Sequence, residues 1–401
     1  MAGRGARGMP EPTIGLMGFY GHGNVGDELM LQRLGQRIEE RFGQRPMVLA
    51  ERWEDIDGYP SRPWPGLWTT APRLQATRSL GLAQWWRRLR DAPGDFERAV
   101  DGLRCLIIGG GTQFGTERRV IASDLEGWAN LTRHAGRLGV PVLLYGVGIG
   151  YLGGWYEQRM LRRVLDACSL VVVRDVRSKA LCDSVGSSTT VHLGADPLYA
   201  LTPAQSEALE PSSETRRVAI APRLGDLRTG DEQAGECLAV FMAGVAESLA
   251  RDGWEPILLP FWPERDGPIC RDAAEIAETP LPIVDAPGSL QEVSELFGGL
   301  AAAVTMPLHA TLMAAIHGVP MVSLSYHPKC RALGEELGLG PSQLDMEYAE
   351  WPKPDEVVVK LREATEDAHL ATRIAEALAD QRERCLASEE KLLRSVAARG
   401  E

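Results

Sequence analysis

Residues 301–329 read AAAVTMPLHATLMAAIHGVPMVSLSYHPK, and this stretch decides the fold. Its pattern predicts a buried strand that ends at Thr305, a tight turn, a short helix, and a second strand over 319–326. The helix is predicted because apolar residues recur at helical spacing and because Gly318 suits the position just after a helix. Such a unit places the first turn of the helix at the carboxyl end of a parallel strand, where α/β sheets bind ligands.

His309 stands in the first turn of that helix. Imidazole titrates near neutral pH, and the free backbone N–H groups at a helix start attract anions. The position therefore predicts a site for an anionic substrate that must receive a proton. A histidine that only caps or packs the helix start would give the same spacing, so both readings stay open.

Composition limits the kind of protein. The chain has 401 residues, 44% of them hydrophobic and 24% charged, which is typical of a soluble globular protein with room for two domains. Its formal net charge of −12 argues against a general nucleic-acid surface, so any positive charge for an anionic ligand must be local. The seven cysteines form no C-x-x-C pair, and Cys105, Cys168 and Cys237 lie in apolar runs. They are predicted to be small buried hydrophobes in a reducing compartment.

The sequence contains no apolar run near the roughly 18 residues that a membrane helix needs. Residues 1–11 are basic and glycine-rich without an apolar core, which predicts a disordered tail and not a signal peptide. A cytoplasmic location is the resulting expectation. The oligomeric state is not defined, and a homo-oligomer is open.

Short apolar strands alternate with amphipathic segments along the chain, as in doubly wound α/β domains. The alternation stops in a polar stretch that begins at Asp196-Pro197 and continues over 202–215, which is interpreted as a linker. It then restarts. The sequence therefore predicts two Rossmann-like domains, over 12–205 and 212–350, with a cleft between them.

Three further elements are predicted in the second half. A helix is expected over 270–277 and a strand over 281–284, both from their apolar spacing. The charged segment 353–398 is predicted to be helical and to bridge the two domains.

The first glycine loop is GFYGHGNVGDE, residues 18–28. It follows a strand, opens a helix and contains a formal G-x-G-x-x-G, and Glu51 ends the next strand where a ribose-binding acid would lie. A dinucleotide site is therefore one reading. Two features count against a dinucleotide site: an insertion separates the strand from the fingerprint, and Asp27 and Glu28 would place two carboxylates beside the pyrophosphate. Acids at a helix start can also serve only to stabilise the helix. Gly23, Asn24 and Asp27 are predicted to bind substrate.

A second glycine loop follows another strand and contains Gly110, Gly111 and Thr112. Successive glycines let backbone amides approach a ligand, so this loop predicts an anion cradle, although a tight turn alone would also need them. Arg174 follows a buried strand at its carboxyl end, and Arg223 holds the equivalent place in the second half. Both are predicted to bind an anion in the cleft.

Taken in order, seven motifs resemble those of the polysaccharide pyruvyl transferase family over about Thr13 to Arg331. They are GFYGHGNVGDE, IIGGGT, YGVGIG, VVVRDVRSKAL, GADPLYAL, LPFWPERD and MPLHATLMAAIHGVPMVSLSYHPK. The resemblance implies a two-domain fold of the GT-B kind and an enzyme that transfers pyruvate from phosphoenolpyruvate to a sugar or glycan acceptor. No step of that chemistry demands a metal or a redox cofactor, and the sequence has no His, Asp and Glu cluster with metal-ligand spacing. The resemblance also implies that Leu308 and His309 match the family's Arg-Leu-His motif, with His309 as the catalytic acid, and that Arg174 binds phosphoenolpyruvate.

Two positions depart from the family pattern. Pro307 replaces the arginine of Arg-Leu-His, and His327 replaces the aspartate of Tyr-Asp-Pro-Lys. Loss of an arginine should weaken an anion site by a few kcal/mol unless another cation substitutes for it. Arg223, His327 and Lys329 are the candidates for that cation. A changed donor or a loss of activity also fits these departures.

Three other kinds of protein remain compatible with the sequence. A glycosyltransferase of the GT-B kind would share the architecture but use a nucleotide sugar. A dehydrogenase would bind NAD(P) at the first glycine loop. A non-catalytic relative would bind a glycan and release no phosphate.

Overall fold

The computed structural model describes most of the chain, with gaps. The described residues are 13–52, 54, 56, 58–64, 96–114, 125–150, 152, 154–202, 216–224, 231–346 and 351–399. The predicted disordered tail and residues 203–215 of the predicted linker lie outside these residues.

The chain divides into two compact units that exchange segments along the sequence. The first unit is formed by the chain up to Gly21, by Leu34–Gly194 and by the chain from Ser388 onward. The second unit is formed by His22–Arg33 and Ala195–Ala387. Each unit contains a parallel sheet with helices, so the α/β fold with two Rossmann-like domains is confirmed.

The first unit is built on a parallel sheet in the order β3-β2-β1-β4-β6-β7-β8, with β5 paired to β6. Its described strands are β1 Thr13–Met17, β2 Met47–Ala50, β3 Ser61–Pro63, β4 Leu103–Gly109, β5 Thr112–Phe114, β6 Val142–Ile149, β7 Leu170–Val173 and β8 Val191–Leu193. The central strands are mostly apolar, and apart from Arg104 every residue of β4 and β6 is buried, because both faces of such a sheet are covered by helices.

Helices cover this sheet, and the first of them along the chain is shared with the second unit. They are α1 Val25–Phe42, of which the part from Leu34 belongs to this unit, α2 Leu125–Arg137, α3 Trp155–Ala167 and α4 Val176–Ser184. Buried apolar residues of α2 and α3 share one core with β4 and β6. This core fixes the carboxyl ends of β4, β6 and β7, where the predicted residues of the first unit lie.

The second unit is built on a parallel sheet in the order β10-β9-β11-β12-β13. Its described strands are β9 Arg217–Ala221, β10 Glu255–Leu258, β11 Ala302–Thr305, β12 Met321–Ser325 and β13 Gln343–Asp345. A single parallel bridge from Leu258 to Ile283 adds a sixth position beside β10. With it, the unit has the 3-2-1-4-5-6 order of a Rossmann fold.

The predicted strand over 281–284 is therefore wrong in extent, because only Ile283 forms a bridge. Pro280 and Pro282 explain this, since proline has no N–H to give to a sheet ladder.

The helices of the second unit surround this sheet. They are α5 Asp231–Arg251, α6 Pro263–Ile276, α7 Leu290–Gly298, α8 Leu308–Ile316, α9 Pro328–Glu336, α10 Pro354–Glu366 and α11 Ala368–Ala397, with 3-10 turns at Pro197–Ala200 and Gly340–Ser342. Helix α6 begins at Pro263, seven residues before the predicted start at 270. Proline suits the first position of a helix, whereas Pro268 inside the helix misled the sequence reading.

The cysteine prediction holds only in part. Cys105 and Cys168 are buried, and burial raises the pKa of the Cys105 thiol to about 11. Cys237 is exposed, so its prediction as a buried residue is wrong. It lies on the outward face of α5, a position that an apolar run does not reveal by itself. None of the described helices is long and apolar enough to cross a membrane.

Candidate active site

The catalytic histidine predicted from the sequence forms a pair with a carboxylate. His309 Nε2 lies 3.3 Å from Asp196 Oδ2, and both side chains are largely buried. His309 is placed by the turn between β11 and α8, in which Thr311 Oγ1 lies 2.8 Å from Thr305 Oγ1 and donates to the Pro307 carbonyl. The turn thus holds the imidazole at the carboxyl end of β11, where a ligand of this sheet would bind.

Asp196 is fixed from its other side. Its Oδ1 accepts a hydrogen bond from the Leu198 N–H at 3.1 Å and so caps the turn Pro197–Ala200. One carboxylate oxygen therefore holds the backbone while the other faces His309. A buried acid in this position orients an imidazole.

The sequence reading missed Asp196 because it assigned Asp196-Pro197 to the linker, and that assignment is wrong. Ala195, Leu198 and Tyr199 are all buried in the core of the second unit. The signal was present in GADPLYAL, where an acid follows the end of a strand and precedes apolar residues.

Gly26 makes room for the imidazole. A Cβ atom built on Gly26 would lie 1.8 Å from His309 Nδ1, so only glycine fits at this point of the first turn of α1. The third glycine of the predicted fingerprint is therefore required by His309. The Gly23 N–H donates to Glu28 Oε1 at 3.2 Å, and the Asn24 carbonyl accepts from the Glu28 N–H, so this loop closes its own helix start. Asp27 is buried in the same turn.

Arg223 is held by a buried acid and an indole ring. Its Nε lies 3.3 Å from Asp266 Oδ1, but neither atom has a hydrogen-bond partner among the described residues. Its guanidinium lies over the Trp262 ring at 5.4 Å, and Arg265 lies over the same ring at 4.8 Å. Asp266 Oδ2 accepts from the Trp262 N–H at 2.7 Å. These contacts position Arg223, and the sequence reading missed both Trp262 and Asp266.

The environment of Asp266 opposes its ionisation. The side chain is fully buried, and burial raises the pKa of its carboxyl to about 6, although the Arg223 guanidinium opposes that rise. A buried acid with a displaced pKa beside an arginine is typical of functional sites, although structural ion pairs share this feature.

Strand register places Arg223 beside the departure at Pro307. Ala221 of β9 pairs with Thr305 of β11, and the Met306 N–H donates to the Ala221 carbonyl at 2.9 Å. Arg223 and Pro307 each follow their paired residue by two positions. The register thus places Arg223 and Pro307 just beyond neighbouring strand ends, and the use of Arg223 as the substitute cation stays a prediction.

His327 serves as a helix cap. Its Nδ1 accepts from the Lys329 N–H at 3.2 Å at the start of α9, which is the contact that an aspartate would make there. This explains how the chain tolerates His327 in place of the aspartate. Leu308 is the first residue of α8 and packs against the core of the second unit.

In the first unit, Arg174 is anchored at the carboxyl end of β7. Its Nη2 donates to Thr112 Oγ1 at 3.1 Å, and its Nε lies 3.7 Å from Asp175 Oδ2. A Cβ atom on Gly148 would lie 3.0 Å from Arg174 Nε, so the guanidinium lies flat against that glycine. Arg174 is only 7% exposed. Its role in binding phosphoenolpyruvate stays a prediction.

The second glycine loop is shaped by its backbone. Gly110 and Gly111 have φ values of +74° and +64°, which favour glycine. The Gly110 N–H donates to the Tyr145 carbonyl at 3.3 Å, and the Gly111 carbonyl accepts from the Gly148 N–H at 2.9 Å. These bonds tie the loop to β6, and Thr112 is in turn tied to Arg174. The loop is therefore at least a structural turn, and its use as an anion cradle stays a prediction.

The predicted residues fall into two groups, one in each unit. Gly110, Gly111, Thr112 and Arg174 belong to the first unit, and Gly23, Asn24, Asp27, Arg223, Leu308, His309, His327 and Lys329 belong to the second. In the second unit, the start of α1 and His309 are in direct contact. Within the described residues, no group of three or more His, Cys, Asp or Glu side chains could hold a metal ion.

The two Rossmann-like units give this chain a GT-B-like fold, and solved structures share that fold. The chain is similar to LpCGTa in complex with UDP, at 11% identity and a TM-score of 0.55 over 98% of this chain and 99% of that one. It is similar to Arabidopsis thaliana UGT89C1 complexed with quercetin, at 12% identity and 0.57 over 96% and 100%. A third is alpha,alpha-trehalose 6-phosphate synthase from Burkholderia multivorans, at 12% and 0.57 over 98% and 100%.

These likenesses concern the fold alone, and no protein of curated function matches the sequence. The evidence for the family of this chain comes from its sequence. The model of the polysaccharide pyruvyl transferase family matches residues 24–328, so the chain belongs to that family.

Proposed function

We propose that the protein transfers pyruvate from phosphoenolpyruvate to a hydroxyl of a sugar or polysaccharide precursor. The observation that carries this proposal is the buried pair of His309 and Asp196 at the carboxyl end of β11. A histidine oriented by a carboxylate is suited to deliver a proton to a substrate carbon. Membership of the family supports this reaction class.

The reaction begins on the methylene carbon of phosphoenolpyruvate. His309 donates a proton to this carbon, and positive charge develops on the neighbouring carbon that bears the phosphate oxygen. A sugar hydroxyl attacks that carbon and loses its proton, and the bond to phosphate then breaks. A second hydroxyl of the same sugar attacks in turn, which gives a pyruvate ketal and inorganic phosphate. The proton taken up by carbon balances one released by the hydroxyls, and the other leaves with phosphate.

The donor carries a carboxylate and a phosphate, so the site also needs fixed positive charge. Arg223 supplies it in this proposal, because its register places it beside Pro307 and because Trp262 and Asp266 hold its guanidinium. The first N–H groups of α8 add donors close to His309. No step of this route requires a redox cofactor.

The test is release of inorganic phosphate from phosphoenolpyruvate in the presence of a panel of sugar and glycan acceptors. Acceptor-dependent release that is lost in His309→Gln supports the proposal. The glycosyltransferase alternative predicts thermal stabilisation by UDP- or GDP-sugars and no phosphate release. That pair of results would overturn the proposal.

A further inference from the structure

A groove on the first unit has no role in the proposed chemistry. It runs along the outer face of α3, from Trp155 to Asp166, and is closed on one side by Ser184 and Val185 at the end of α4. Its volume is about 500 Å³, within the roughly 300–1,000 Å³ of ligand sites. At 1.5 Å per residue the helix runs about 16 Å from Trp155 to Asp166, which is longer than one sugar ring.

The side of α3 that lines the groove is not the side that packs into the core. Met160, Leu161, Val164 and Leu165 lie on the opposite face and are buried in the core of the first unit. Trp155, by contrast, is 72% exposed. Its ring meets the Tyr156 ring edge to face, with the centroids 5.9 Å apart, and its exposed indole face is a candidate contact for a ligand.

The groove is locally positive in an acidic protein. Arg159, Arg162 and Arg163 line it, and the acid that lines it with them is Asp166. Arg162 pairs with Asp166 at 3.5 Å, whereas Arg159 and Arg163 form no ion pair with a described residue. Among the described residues, these two guanidinium groups therefore have no carboxylate partner, although the net charge of the chain is −12.

We propose that this groove binds an anionic saccharide, with Trp155 stacked on a sugar face and Arg159 and Arg163 paired with its carboxylates or phosphates. Indole rings offer an apolar face that suits the C–H side of a sugar, and arginine binds both kinds of anion in a bidentate manner. The saccharide is an extended part of the acceptor chain, and only this last statement rests on the proposed function.

The shape of the groove favours a saccharide over a membrane. A helix that binds a lipid surface inserts its apolar face, but the apolar face of α3 is already buried in the core. The groove is concave and mixes one indole with charged side chains. Such a lining recognises a polar chain with discrete charges.

Isothermal titration calorimetry at low salt tests the proposal with a hyaluronan tetrasaccharide as the anionic probe and chitotetraose as its neutral counterpart. We expect the anionic probe to bind at least about tenfold more tightly. Trp155→Ala and the double variant Arg159→Gln/Arg163→Gln should each weaken that binding by about tenfold or more. Arg394→Gln is the matched control, because Arg394 is an exposed arginine at the end of α11, paired with Glu390. It should bind like the wild type.

Several results would overturn the groove assignment. Unchanged binding in both groove variants would do so, as would equal competition by inorganic phosphate, which would indicate a simple anion site. If the groove variants lost binding to phosphatidylglycerol vesicles but still bound the saccharide, the groove would be a lipid-binding surface. Dissociation of a dimer by Trp155→Ala in sedimentation velocity would indicate an interface between copies. Saccharide binding to the groove does not require phosphoenolpyruvate. Saccharide binding without any phosphate release would therefore contradict the proposed function and still support the groove assignment.

Discussion

At His309 the two ring nitrogens have different neighbours, since Nε2 faces Asp196 and Nδ1 lies against Gly26. Asp196→Asn isolates the first contact, because asparagine can keep the cap to Leu198 while it removes the negative charge that faces the imidazole. We expect turnover to fall by about two to four orders of magnitude, the range typical of acid–base groups, with the melting temperature nearly unchanged. Steady-state phosphate release and thermal unfolding are the measurements.

A matched control is Asp367→Asn, which alters another aspartate that accepts backbone N–H groups at a helix start. It should leave turnover unchanged. Wild-type turnover in Asp196→Asn would remove the carboxylate from the mechanism, and wild-type turnover in His309→Gln would remove the acid itself.

The second contact of His309 is tested by Gly26→Ala. The added methyl group overlaps Nδ1, so the ring must leave Asp196 or the helix must shift. Turnover should fall by at least about tenfold, because a displaced acid no longer reaches its proton acceptor. Gly136→Ala in α2 is the control, since its Cβ would meet open space. It should gain about 0.5–1 kcal/mol in unfolding free energy and lose no activity.

Asp266 predicts a pH dependence of stability. Burial raises the pKa of its carboxyl from 3.8 to about 6, so the folded protein binds more protons than the unfolded chain between these values. The stabilising contribution of Asp266 is therefore complete below pH 3.8 and is lost as the pH rises through about 6. A rise of about two pKa units corresponds to roughly 3 kcal/mol.

We expect the unfolding free energy of the wild type, relative to Asp266→Asn, to fall by that amount between about pH 4 and pH 7. Urea unfolding across this range is the measurement. Asp272→Asn, on the exposed face of α6, is the control. A difference that rises with pH would show that Arg223 outweighs burial and holds the pKa of Asp266 low.

At the scale of elements, substitutions at His327, which replaces the family's aspartate, test its role as the cap of α9. The Nδ1 atom accepts the Lys329 N–H, so His327→Ala should cost about 1 kcal/mol of unfolding free energy. His327→Asp should keep the contact and add a favourable charge at the helix start, worth roughly 0.3–1 kcal/mol. Ser289→Ala removes the comparable cap of α7 and calibrates the loss. A stabilising His327→Ala would show that the cap contributes nothing.

Elements were predictable where the pattern is local. The strand, turn and helix around His309 follow from apolar spacing, and the structure places them at Ala302–Thr305 and Leu308–Ile316. Three short strands, Ser61–Pro63, Thr112–Phe114 and Gln343–Asp345, were missed because three residues carry too little periodicity. Asp266 was missed for another reason, since its contact with Arg223 joins residues more than 40 positions apart in sequence.

At the scale of the whole molecule, the end of α11 belongs to the first unit although it follows the second in sequence. Leu393 is buried there, so Leu393→Ala should cost about 2–5 kcal/mol. Leu386 lies on the same helix and is 41% exposed, so Leu386→Ala should stay within about 0.5 kcal/mol. Hydrogen exchange should accelerate in β4 and β6 of Leu393→Ala and not in β9 or β11. Equal acceleration in both sheets would contradict this assignment.

The repeated strand–helix alternation made two Rossmann-like domains predictable, because periodicity is read along the chain. The exchange of segments was not predictable in this way. His22–Arg33 joins the second unit through contacts such as the Val25 N–H to the Phe261 carbonyl, and Arg104 donates to the Val396 and Ala397 carbonyls in the first unit. The local sequence pattern at residues 22–33 and at the end of α11 does not indicate these distant partners.

This exchange of segments determines when each unit can be completed during synthesis at the ribosome. The first unit lacks its closing segment until Ser388 has been made, and His22–Arg33 has no second unit to join until then. At about 5–20 residues per second, roughly 10–40 s separate synthesis of Gly194 from that of Ser388. At the start of that interval the nascent chain already carries Gly26 while His309 has still to be made, so the contact between these two residues cannot form until synthesis has passed residue 309.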